Sequence, residues 1–245
     1  MKPHLPPAQS SQAPFVVGDC ALMTIATGTK AQNLREFREG LLKVPSSSIY
    51  HHFWGRLLTP RFDEPEYSND FAAWAYWALH EKALAERLSA VDPSDYDDLE
   101  ELRLALVDIV EITLDVRESV PSARSDQMFH FLRGKLVVMD SEVTIEHPDQ
   151  LPMVLPGLST GSVYYHFIDA RRRTPDKCDD FCTWLRGWEP DYDRVITRLR
   201  DLDPFFSSLK EMRRLLTAIF AELPGDRGAS GADTLPPTRV AMENS

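Results

Sequence analysis

The sequence predicts a mainly α-helical protein with a minor β part (α+β), built as two tandem copies of one small unit. The first observation behind this is an internal repeat. Residues 48 to 53, Ser-Ile-Tyr-His-His-Phe, return as Ser-Val-Tyr-Tyr-His-Phe at 162 to 167, a displacement of 114 positions. Asn69-Asp70-Phe71 with Trp74 returns as Asp179-Asp180-Phe181 with Trp184, and Leu88 with Asp92-Pro93 returns as Leu199 with Asp203-Pro204. Ordered self-similarity of this kind marks a repeated structural unit. The second observation is helical apolar periodicity behind a strand-like opening in each copy. The expected layout is a flexible leader at 1–14, copy one at 15–118, a linker at 119–127, copy two at 128–223 and a disordered tail at 224–245. The halves are expected to pack about a pseudo-two-fold axis, each a small β element with three to four helices.

The elements follow in order. Phe15-Val16-Val17 and Phe129-His130-Phe131 open the copies as strands, and Lys135 to Ile145 partly alternates apolar and polar. Asn33 caps a helix through Leu42, with Leu34, Phe37, Leu41 and Leu42 on one face. Pro45-Ser46 starts a second helix carrying Ile49, Tyr50, Phe53 and Leu57. Asn69 caps a third along Phe71, Trp74, Ala75 and Ala78, and Tyr96 to Val116 forms a fourth. In copy two Pro148, Pro152, Pro156 and Gly157 break the first helix, because proline removes a hydrogen bond and clashes with the preceding turn. Helices resume around 162–172, 179–188, 192–199 and 209–221.

The 245 residues carry 27 Lys and Arg against 38 Asp and Glu, a formal charge of −11. Such a surface repels phosphate backbones, which argues against general nucleic-acid binding. Arg171-Arg172-Arg173 reads as a solvated helix end. The sequence has no apolar run of bilayer-spanning length and no secretory stretch at its start. Cys20, Cys178 and Cys182 do not form a disulfide framework, so the expectation is a cytoplasmic protein, monomeric or homodimeric.

Ser48 with His52, and Ser162 with His166, stand four apart on one helix face, half of a nucleophile–base arrangement. The group that would orient each histidine and the donors for an oxyanion are not visible in sequence. Asp70 and Asp180 are the candidates to orient the histidine of their own copy. As first-turn acids behind Asn69 and Asp179 they equally suit a helix N-terminus. No metal site is expected: His51 and His52 are adjacent and point to different faces, and no His-x-x-x-His or Glu-x-x-His pair occurs. With no P-loop or dinucleotide glycine motif, no cofactor is expected either. Cys178 and Cys182 read as ordinary buried or edge cysteines, and Trp54 and Trp77 as aromatics facing outward at an interface.

Three motifs carry a resemblance: Asn33-Leu34-Arg35-Glu36-Phe37, Val44 through His52, and Asn69 through Trp74. On these the chain resembles a bacterial and archaeal family of unknown function, over about residues 15 to 222. That resemblance implies no activity. Copy two departs from the motifs at Gly161, opposite Ser47, and at its prolines, which disfavours two identical sites. The favoured reading is a non-enzymatic binding or regulatory module for a protein partner or small ligand. The alternative is an enzyme or small-molecule sensor whose pocket lies between the copies and gathers Ser48, His52, Ser162 and His166.

Overall fold

The computed structural model describes residues 13–59, 66–188, 190, 192–203 and 208–222, so most of the expected leader and the whole expected tail lie outside it. It is a mainly helical α+β fold around one antiparallel two-stranded ribbon. The ribbon pairs β1 (Phe15–Ala31) with β2 (Phe129–Ile145), strands far longer than the apolar openings suggest. Leu22 lies opposite Leu136, Phe15 opposite Ile145, and Ala31 opposite Phe129. The register shifts at Val17/Gly18 and again at Ala26/Lys30.

The two irregularities are built alike. Gly28 and Glu142 both take positive φ, at 80° and 60°. Thr27 Oγ1 donates to the Phe131 carbonyl at 2.6 Å, and Ser141 Oγ donates to the Val17 carbonyl at 2.6 Å. A hydroxyl thus occupies a carbonyl that the interrupted ladder would leave open.

Between the strands run α1 (Leu34–Lys43), α2 (Ser46–Leu58), α3 (Asp70–Trp77), α4 (Lys82–Ser89) and α5 (Leu99–Asp115). Asn33, Asn69 and Asp98 cap three of them by accepting first-turn amides. The sequence reading passes over α4, whose N-terminal residue Glu81 makes no side-chain cap. After β2 the proline-rich segment yields only single turns and α6 (Leu151–Val154). Next, α7 (Thr160–Val163), a π-helical stretch (Tyr164–Asp169) and α8 (Ala170–Arg173) run on as one helix. The chain closes with α9 (Asp180–Leu185), α10 (Asp193–Arg200) and α11 (Leu209–Phe220).

A two-stranded ribbon is not stable alone and needs helices to cover it. The aromatic start of each strand does this by crossing over. Phe129 and Phe131 of β2 pack against Phe37 of α1, with ring centroids 5.2 and 5.6 Å away. Phe15 of β1 stacks on Phe181 of α9 at 5.1 Å and leans on Trp184 at 5.4 Å. The indole N–H groups fasten the same ends: Trp74 donates to the Gln127 carbonyl and Trp184 to the Ala13 carbonyl, both at 2.8 Å. Ala13, expected within the flexible leader, is therefore held.

Candidate functional site

The face of α2 that meets the ribbon carries His52, which is buried. Its Nε2 accepts the Leu132 backbone N–H at 3.0 Å, across to β2. Nε2 is therefore the unprotonated nitrogen, and Nδ1 carries the proton that it donates to Asp70 Oδ2 at 3.0 Å. His166 repeats the arrangement. Its Nε2 accepts the Gly18 N–H of β1 at 2.7 Å, and Nδ1 lies 2.8 Å from Asp180 Oδ2. Asp70 and Asp180 thus orient the histidine that precedes each of them, while Asn69 and Asp179 take the capping role.

The serines are placed differently. Ser48 Oγ is buried without a hydrogen-bond partner, and Ser162 Oγ accepts from Ser159 Oγ at 3.1 Å. Neither hydroxyl bonds its histidine, and each imidazole has both nitrogens engaged. A base must have a free lone pair facing the proton it takes. The two histidines also sit in separate surroundings: His52 among Phe71 and Phe129, and His166 among Phe15, Phe181 and Tyr165. The six candidates therefore form two His–Asp clamps on the ribbon, with the serines beside them.

A second polar cluster escaped the sequence reading. Tyr50 and Tyr164, again 114 positions apart, bring their hydroxyls to 2.5 Å in the buried interior. Tyr50 also donates to Asp169 Oδ1 at 3.0 Å. Burial holds both phenols well above their usual range, so they stay neutral hydrogen-bonding groups. Asp169 is buried and paired with Arg172 and Arg173, and Arg173 reaches on to Asp180 Oδ2 at 2.9 Å. One chain of bonds thus runs from Tyr164 through Tyr50, Asp169, Arg173 and Asp180 to His166. The π-helical turn at 164–169 supplies three of its members, and such turns recur at functional positions. The only sequence signal was Tyr50 and Tyr164 standing inside the repeated segment.

The arginine run is not a merely solvated helix end. Arg171 donates to the Leu199 and Leu202 carbonyls at the end of α10, and its guanidinium lies 4.3 Å from the Phe167 ring centre. Together with Lys177, Arg200 and the start of α5, the run lines a groove of about 770 Å³. None of Ser48, His52, Ser162, His166, Asp70 and Asp180 lines it. Trp54, expected to face outward, is buried in the groove wall, whereas Trp77 is exposed. Cys178 is a free, buried thiol at the same groove. Among the described residues no group of three or more His, Cys, Asp or Glu is placed to hold a metal ion.

The sequence profile of a family of unknown function, DUF5752, matches residues 12–221. The chain belongs to this family. No curated protein matches it. Among solved structures, OrfY from Thermoproteus tenax shares the fold of this DUF5752 chain, with a TM-score of 0.74 at 23% identity. That match covers 89% of this chain and 98% of the OrfY chain. At this identity the likeness concerns the fold alone. Among the described residues of the DUF5752 chain, no helix is long and apolar enough to cross a membrane.

Proposed function

We propose that this protein is a non-enzymatic binding module whose ligand surface is the arginine-lined groove, and that its His–Asp pairs serve the fold. The observation that carries this is the full engagement of both imidazoles: Nε2 of each accepts a strand amide while Nδ1 faces a carboxylate. That leaves Ser48 and Ser162 without a base, against the enzyme alternative. The groove has the volume of a small-molecule site and the mixed apolar and charged walls such sites use.

The same reading treats the chain as two copies, 15–118 and 128–223, facing each other across an axis through Leu22/Leu136 and Tyr50/Tyr164. Supporting it are the paired bulges, the paired histidine clamps and the paired indole bonds at matching positions. The charge of −11 speaks against nucleic acid as the general partner, and three free buried thiols suit the cytoplasm.

The test is a thermal-shift screen of the full chain against nucleotides, organic acids, sugars and short peptides. A stabilising hit should be lost in Ser94→Trp, which fills the groove rim, and kept in His52→Gln. A hit kept in Ser94→Trp and lost in a folded His52→Gln, or turnover that depends on His52, would overturn the reading.

A further inference from the structure

The charges around the groove divide into those already engaged and those left available. Arg171 is taken up by two carbonyls, and Arg173 by Asp169 and Asp180. Among the acids, Asp98 caps α5, Asp176 pairs with Arg186, and Asp179 accepts the Cys182 amide. Three cations remain. Arg172 makes one bond, to an Asp169 oxygen that Tyr50 also uses, and its side chain is 43% exposed. Lys177, also 43% exposed, donates to the exposed Ser94 carbonyl at 3.0 Å and pairs with Asp97, which is 85% exposed. Exposed ion pairs contribute little and exchange readily for a better partner. Arg200 is exposed and has no partner among the described residues. The available groups thus carry a positive surplus, on a chain whose net charge is −11.

Resting on the binding-module reading above, we infer that the groove takes an anionic small molecule, its phosphate or carboxylate held by Arg172, Lys177 and Arg200. Guanidinium groups suit such anions because their parallel N–H donors match two oxygens at once. Arg172 is already set in place, its guanidinium 5.0 Å from the Tyr50 ring centre. The volume of about 770 Å³ exceeds a single inorganic anion, and Trp54, Leu99, Leu102 and Ile168 supply an apolar wall. The ligand class is therefore a phosphorylated or carboxylated molecule with a ring or apolar body.

Calorimetric titration of the full chain with inorganic pyrophosphate, at ionic strength held constant with sodium chloride, tests this. Saturable binding is expected, and Arg200→Gln should raise Kd at least about tenfold, equivalent to about 1.4 kcal/mol. Arg200 makes no described bond, so that loss cannot be ascribed to misfolding. Arg172→Gln should weaken binding as well, while Lys82→Gln, in an exposed pair with Glu86 on α4, should leave it unchanged. No saturable heat at millimolar pyrophosphate, or wild-type affinity in Arg200→Gln and Arg172→Gln, overturns the inference. A neutral screening hit lost in Ser94→Trp, alongside absent pyrophosphate binding, would refute the anion while leaving the groove reading intact.

Discussion

Replacing His52 with leucine deletes both ring nitrogens while roughly preserving side-chain volume. The Leu132 N–H then loses its acceptor beneath a packed aromatic shell. An orphaned buried donor costs about 1–3 kcal/mol. The Asp70 side chain is 30% exposed, so it rehydrates and adds little. The expected total is about 2 kcal/mol, and at about 2–4 °C per kcal/mol for a chain of this size the melting temperature should fall by about 4–8 °C. Circular dichroism melts of wild type, His52→Leu and His52→Gln measure it. The glutamine amide oxygen can still accept an N–H, so His52→Gln should melt between the other two. A His52→Leu melt within about 1 °C of wild type would refute the clamp.

Other outcomes follow from the same coordinates. Asn69 is fully buried, accepts the Ala72 amide and donates to the Leu88 carbonyl, both at 2.9 Å. Asn69→Ala should therefore cost about 2 kcal/mol by urea titration, the top of the N-cap range, and a cost below about 0.5 kcal/mol would contradict the paired role. Burial and then Asp19 push the Cys20 thiol up to about 12, whereas an unfolded thiol ionises near about 8.5. Above that lower value the unfolded chain holds fewer protons, so stability should fall as pH rises toward 12. The drop in urea midpoint on moving into this window should be smaller in Cys20→Ala than in wild type, and equal drops would contradict the assignment.

The helices with side-chain caps were legible because Asn33, Asn69 and Asp179 announce themselves ahead of apolar stripes. Helix α4, eight residues behind the uncapped Glu81, was not read. The ribbon was underestimated because its middle exposes residues such as Met23, Thr24 and Val138, which blurs the two-residue alternation. The His–Asp pairing was legible as one role for Asp70 and Asp180. What completes each clamp was not: the amides that hold His52 and His166 belong to Leu132 and Gly18, 80 and 148 positions away. The groove joins the 93–102 segment to residues 168–179 and Arg200, a juxtaposition that only tertiary packing creates.

The central claim is that the histidines hold the ribbon while the groove binds. Its most direct measurement is the affinity of a His52→Gln/His166→Gln double variant for pyrophosphate, below its melting temperature and beside wild type. The account predicts a lowered melt with affinity unchanged. An intact, wild-type melt together with lost binding would contradict it and place the site at the histidines.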